Sequence, residues 1–142
     1  MSQEPYHRSR KRGQAALAGL VVGVATAASF VRWRPVRVEV RGASMAPTLQ
    51  PGDWALAVAP KRVRAGDVVV LEHPERPGFE MVKRVIAVPG ERGLGRDEYW
   101  LEGDHPNPER STDSRSFGAV RRDAIKARVL LVYWPPERRC LV

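Results

Sequence analysis

The chain has 142 residues, with 24 lysines and arginines against 16 aspartates and glutamates and a single cysteine. It therefore has room for one domain, forms no intrachain disulfide and builds no cysteine-based zinc site. Six basic residues and one acid precede Pro35, and the rest carries 18 basic and 15 acidic residues, so the net charge of +8 does not describe a basic nucleic-acid-binding face on the folded part.

Residues 1–12 form a basic N-terminal segment that contains Arg8, Arg10, Lys11 and Arg12. Residues 13–33 read as a transmembrane anchor. Its stretch 15–31 has no charged residue and spans roughly 25 Å as a helix, the short end of what crosses a bilayer. Trp33 stands where an interfacial aromatic belongs, and the denser basic cluster on the N-terminal side places that end inside, which puts everything after it on the outer face of a single-pass membrane protein. The rival reading is a cleavable signal peptide, with Ala25-Thr26-Ala27 as a small-x-small cleavage site.

Residues 36–142 form the folded, β-rich part. Val36, Val38 and Val40 alternate with Arg37, Glu39 and Arg41, the pattern of a half-buried strand. Further strands are expected at 54–59, 68–71, 81–88, 99–102 and 127–134, divided by Pro51-Gly52-Asp53, Ala65-Gly66-Asp67, Pro77-Gly78, Pro89-Gly90 and Glu102-Gly103-Asp104. No window after residue 35 carries an apolar repeat of helical period and length, and 110–116 reads as a polar loop. The expected fold class is all-β, an antiparallel barrel-like or sandwich domain behind one N-terminal transmembrane helix.

Chemistry concentrates in three places. Directly after the first strand comes Gly42-Ala43-Ser44-Met45-Ala46-Pro47, a small-residue turn that can project the Ser44 hydroxyl and leave backbone N–H groups free for an oxyanion. Gly42 permits close approach of another backbone. An ordinary serine-containing turn explains the octet Gly42 to Leu49 in isolation equally well.

The second place is Lys83. Arginine outnumbers lysine twenty to four, and an arginine cannot give up its proton at working pH, so each lysine merits inspection. Strand alternation puts Lys83 on one face with Met81, Val85 and Ala87, and Arg84 on the other. Apolar neighbours disfavour the ammonium and lower its pKa. A lysine base needs that shift, because at a pKa near 10.4 only about a thousandth of it is neutral near pH 7.5. A snorkelling lysine with a packed stem is the bland alternative. The third place is Glu102-Gly103-Asp104 followed by Ser111-Thr112-Asp113-Ser114-Arg115-Ser116-Phe117-Gly118, where a hydroxyl can orient an amine and Asp113 with Arg115 can lock the loop, although a solvated polar loop explains the segment alone equally well.

In this order and spacing, the three segments resemble the boxes of the type I signal peptidases. Gly42 to Leu49 with Gly52-Asp53 is similar to the nucleophile box, and Arg64 to Val69 to the strand before the base. Lys83 to Gly90 is similar to the lysine box, and Gly103-Asp104 through Gly118 to the last one. The resemblance implies a serine endopeptidase that removes leader peptides from preproteins after small residues at the first and third positions before the bond. It implies Ser44 as nucleophile and neutral Lys83 as general base. Ser111, Asp113 and Arg115 would support the lysine, and Gly42 with the Ser44 backbone N–H would form the oxyanion hole. No metal or cofactor is implied, nor is nucleic acid. The lipid bilayer and a partner subunit are.

Several positions depart from the family pattern. Gly42 stands where some members carry a serine, His105 where an asparagine is usual, and Lys126 where glycine is common. Only residues 91–98 separate the lysine box from the next strand, so the accessory cap of larger members is nearly absent. Gly103-Asp104-His105 and Trp134-Pro135-Pro136 look like the mitochondrial inner-membrane peptidase branch. The short length also suits small bacterial forms, including those proposed to mature nickel superoxide dismutase. Between the two, the expectation favours a bacterial cell membrane over the mitochondrial inner membrane.

Three other readings compete. A self-cleaving repressor-type peptidase shares the serine–lysine logic but carries an N-terminal helix-turn-helix, where this chain has an apolar stretch. A Ser-His-Asp triad would have to use His7, His73 or His105, none of which has a nucleophile context. A catalytically silent, membrane-tethered β domain acting as a binding module would tolerate loss of Ser44 and Lys83.

Overall fold

The computed structural model describes residues 35–142. The expected basic segment 1–12, the anchor 13–33 and the alternative cleavage site at 25–27 lie outside the described residues. Among the described residues, no helix is long and apolar enough to cross a membrane.

Eight strands make up most of the described part: β1 (Val36–Glu39), β2 (Trp54–Val58), β3 (Val68–His73), β4 (Arg76–Ala87), β5 (Glu98–Glu102), β6 (Val120–Arg121), β7 (Ile125–Trp134) and β8 (Cys140–Leu141). All pairings are antiparallel, in the order β1-β2-β7-β3-β4-β5-β6, with β8 beside β7. The all-β expectation matches this arrangement. The barrel-like expectation does not: the sheet is open, because β1 and β6 end the path without pairing to each other. Closure would require a consistent tilt and stagger around the ring. Here β6 is two residues long and β1 four, too short to supply it.

The sheet buries different faces in its two halves. Val68 and Val70 of β3 join Ala55, Ala57, Val129 and Val132 in one cluster. Val69 and Leu71, on the opposite face of the same strand, join Val85, Tyr99, Leu101 and Val120 in a second. This is why Val68–Leu71 is apolar at every position: the strand packs on both sides. Register shifts in β2–β7 and β3–β7 accompany the change of face.

Two segments differ from the sequence-based expectation. The turn before β4 falls at residues 74–75, and Pro77-Gly78 lies inside the strand. Gly78 adopts a positive φ of 81°, open to glycine, and the extra residues form an irregularity between the Glu72–Glu80 and His73–Arg76 pairs. The segment 110–116 is more ordered than a polar loop. It contains the end of a 3-10 turn (Pro108–Arg110) and the start of α1 (Ser114–Phe117), whose first turn is capped by the Asp113 carboxylate accepting from the Arg115 N–H.

Candidate active site

The loop between β1 and β2 carries Ser44. It is pinned from below by Met45 and Leu49, 1% and 0% exposed, which belong to the first apolar cluster. Hydrogen bonds from Ala46 N to Ala43 O (3.0 Å) and from Leu49 N to Met45 O (2.9 Å) wind the loop into successive turns. Ser44 sits half-buried above that anchor. A Cβ built on Gly42 would meet nothing within 4 Å, so the space over this part of the loop is open.

Lys83 enters from the other cluster. On β4, Val85 and Ala87 share its buried face, whereas Val82, Arg84 and Ile86 are half-exposed. Lys83 itself is 3% exposed. Burial pushes its pKa down to about 8; the Asp113 carboxylate pulls the other way, and the Arg115 charge adds to the fall. At that value roughly a quarter of the amine is neutral near pH 7.5. Ser44 and Lys83 line one cavity of about 550 Å³, at the seam between the two apolar clusters.

A chain of hydrogen bonds fixes the lysine. Its Nζ donates to Ser111 Oγ at 3.1 Å, and that hydroxyl donates to Asp113 Oδ2 at 2.6 Å. Asp113 is fully buried and also accepts from Gly103 N (3.0 Å), Arg115 N (3.1 Å) and Arg115 Nε (2.9 Å). Burial would raise the Asp113 pKa, but the bonds from Arg115, Ser111 and the two backbone N–H groups outweigh it and hold the carboxyl well below its usual range. Asp113 is therefore a fixed negative charge, and Ser111 an oriented acceptor for the amine.

A second network ties the nucleophile loop to the lysine strand. Asp104 accepts from Thr48 Oγ1 (2.6 Å) in the loop and from Arg84 Nε (2.7 Å) and Nη2 (2.6 Å) on β4. The next residue, His105, donates its backbone N–H to the Ser44 carbonyl at 3.0 Å. The loop's far side is held by Asp53, 1% exposed, which accepts from Gln50 N (2.8 Å) and from Arg138 Nε (2.8 Å). The structure thus gathers Ser44, Lys83, Ser111, Asp113 and Arg115, with Gly42 on the rim of the same cavity.

Sequence reasoning placed Gly103 and Asp104 in the third candidate segment without giving either a role, and did not single out Arg84 or Thr48. Gly103 matters most sterically: a Cβ there would run into both the Ser44 carbonyl and the Ser111 hydroxyl. The available signal was the triplet Gly103-Asp104-His105 in a turn position, whose partners Asp113, Arg84, Thr48 and Ser44 are spread along the chain on both sides of it. His73, dismissed as a triad member, lines the cavity wall, where its Nδ1 accepts from Glu75 N at 3.1 Å.

The family model described as signal peptidase, peptidase S26, matches residues 12–92, which include the Ser44 loop and Lys83 but stop before Ser111. The chain is 35% identical to mitochondrial inner membrane protease subunit 2 of Mus musculus, with 92% of this chain and 85% of that protein covered. It is 36% identical to the Homo sapiens subunit 2 (84% and 79% covered) and 36% identical to subunit 1 of Xenopus tropicalis (68% and 67% covered). These relatives are mitochondrial, and they lend no support to the preference for a bacterial membrane.

Proposed function

The chain belongs to the S26 signal peptidase family, a family of serine-type hydrolases, and from that premise we propose that it is a membrane-bound endopeptidase cutting leader peptides after small residues with a Ser44–Lys83 dyad. The observation that carries this reading is Lys83: a buried amine with its pKa lowered to about 8, in one cavity with a serine on a rigid loop. Such an amine takes the Ser44 proton as the hydroxyl attacks the scissile carbonyl, then returns it to the leaving nitrogen. An acyl-enzyme forms on Ser44, and a water activated by the same amine hydrolyses it. The Ser44 backbone N–H, beside the unobstructed space at Gly42, stabilises the oxyanion. Ser111, Asp113 and Arg115 keep the amine aimed.

The substrate lies extended in the groove between β1 and β4. Neither the outer edge of β1 nor the Arg76–Val82 part of β4 facing away from β3 is paired. Val70 and Ala127 floor the groove, so a peptide there gains backbone hydrogen bonds at its edges and apolar contact beneath. The relatives' names place them in a membrane and as subunits; for this chain, we read an N-terminal anchor at 13–33, a catalytic domain on the outer face and a partner subunit.

The test is cleavage of a model preprotein with an Ala-x-Ala site in detergent, by wild type, Ser44→Ala, Lys83→Ala and the double variant. Cleavage after the second alanine by wild type alone, with the double variant little worse than either single one, supports the dyad acting as a unit. Equal cutting by the variants overturns it, and a role that survives both substitutions indicates a tethered binding domain.

A further inference from the structure

The connection between β2 and β3 holds three cations, Lys61, Arg62 and Arg64, and no acid from Ala59 to Gly66. All three are exposed, and none forms a salt bridge among the described residues. A fourth, Arg122, spends its guanidinium on carbonyls, donating to Pro60 O at 2.6 Å and to Ile125 O at 3.1 Å. The acids on these segments, Asp67 and Asp123, face other arginines: Arg128 at 3.5 Å and Arg121 at 3.6 Å. The patch therefore keeps its positive charge.

A run of cations usually marks nothing more than a solvated face. This one is held rigidly, and at a particular end of the sheet. Val63, in the middle of the run, is 9% exposed and belongs to the second apolar cluster. Arg64 N donates to Asp67 Oδ2 at 2.9 Å, while Gly66 N donates to Val85 O and Val85 N to Asp67 O, both at 2.8 Å. With Val63 turned inward, its charged neighbours are left outside on a fixed backbone.

The position follows from the strand pairing. Ala57 pairs with Val36, the first residue of β1, and β2 ends one residue later at Val58. The cationic loop therefore leaves the sheet at the end where β1 begins. By the anchor reading the chain comes out of the bilayer at residue 33, and the three residues to Val36 reach at most about 10 Å. That end of the sheet is then tethered within roughly one Debye length of the headgroups.

We infer that the β2–β3 loop docks on the anionic headgroups of the bilayer, through Lys61, Arg62 and Arg64. The inference rests on the anchor reading of residues 13–33. Each cation at an anionic surface strengthens association roughly fivefold, so three together do so on the order of a hundredfold, and the tether makes the event intramolecular. Docked in this way, the groove assigned to the substrate turns its Val36 end toward the bilayer.

The experiment reconstitutes the full chain into vesicles of phosphatidylcholine, alone or with about one-third phosphatidylglycerol. Ala65 and Cys140 are exposed, so a fluorophore on Ala65→Cys in a Cys140→Ser background reports contact through quenching by headgroup-spin-labelled lipid. Phosphatidylglycerol should raise the quenching roughly twofold or more, and added salt should reverse the rise. Lys61→Glu/Arg62→Glu/Arg64→Glu should abolish it, with circular dichroism unchanged. A label on Gln50→Cys, exposed at the opposite end of β1 and β2, should show no rise. Equal quenching in the two lipids overturns the inference, as does a rise shared by both labels or one that survives charge reversal. Should the charge-reversed chain misfold, the salt dependence and the Gln50 label still decide. If alkaline carbonate strips the wild type from phosphatidylcholine vesicles, the anchor reading fails, and flotation with phosphatidylglycerol vesicles tests the loop alone. Co-flotation of wild type but not of the charge-reversed chain supports docking, and equal recoveries overturn it.

Discussion

Lys83 Nζ lies 3.1 Å from Ser111 Oγ, both groups buried, and that hydroxyl is in turn spent on Asp113. The amine is thus oriented by a neutral group, with the nearest negative charge one hydroxyl further on. This arrangement aims the lysine without fully restoring its ordinary proton affinity.

A pH profile follows from it. Lys83 must be neutral to accept a proton, so kcat/KM should climb as pH rises through about 8 and level off above it. Because the Asp113 carboxylate raises the Lys83 pKa, Asp113→Asn should move the rising limb to lower pH while reducing the plateau. Ser111→Ala should lower kcat roughly tenfold to a hundredfold by releasing the amine from its position. Steady-state rates from pH 5 to 10 measure all three. A flat profile would exclude a lysine base.

Gly103 is expected to be intolerant of any side chain. A methyl group there would strike the Ser44 carbonyl and the Ser111 hydroxyl, both backed by fixed structure. Gly103→Ala should cost at least a hundredfold in kcat/KM, with circular dichroism showing the β-sheet retained. Activity within threefold of wild type would mean that the two segments separate freely, contrary to the packing seen.

What the sequence disclosed and what it withheld have one physical explanation. Lys83's burial was readable because strand alternation is local: Met81, Val85 and Ala87 fix its face. The β-strands announced themselves in the same way, while the open sheet did not, since closure depends on pairings between distant strands. Asp104 and Arg84 act through partners eighteen to fifty-six residues away, and Gly103 through Asp113 and Ser111 in the following segment and the Ser44 carbonyl far before it. Nothing in Gly103-Asp104-His105 as a tripeptide reveals that its three residues touch Asp113, Thr48 and Ser44.

Asp104 should prove a positioning residue. It joins Thr48 of the nucleophile loop to Arg84 on the lysine strand, and the two hydrogen bonds from Arg84 and the one from Thr48 hold its carboxyl below its usual range against the opposing effect of burial. Asp104→Asn should cost about 1–3 kcal/mol in unfolding free energy by weakening charge-assisted bonds. Stability that Asp104 supplies is present above the ordinary carboxylate range and lost as pH falls through its lowered pKa, so the gap between wild type and variant should narrow in acid. Activity should fall with kcat, not KM, because the loop contributes no direct hold on the substrate's far residues. Thr48→Val should reproduce the kinetic effect in weaker form; a purely structural Asp104 would leave kcat unmoved once the folded fraction is corrected for.

Lys83 also carries a stability cost, which gives the sharpest test of its environment. Its pKa falls from 10.5 to about 8 on folding, so between those values the unfolded chain binds more protons than the folded one. Stability therefore rises with pH across that window, and the penalty is complete below 8. Lys83→Met keeps the packing and removes the buried charge, at the expense of one donor to Ser111. At pH 7 the variant should be inactive yet more stable by about 1 kcal/mol, a rise of roughly 2–5 °C in Tm. The advantage should shrink above pH 8, disappear near pH 9 and become a deficit by 10.5, because the wild type regains roughly 3 kcal/mol as the penalty on its buried amine is lifted. Thermal unfolding of the two proteins from pH 6 to 10.5 measures the difference. A gain that stays constant with pH would assign the effect to packing, and the lysine would then be a solvated side chain whose proton affinity folding leaves alone.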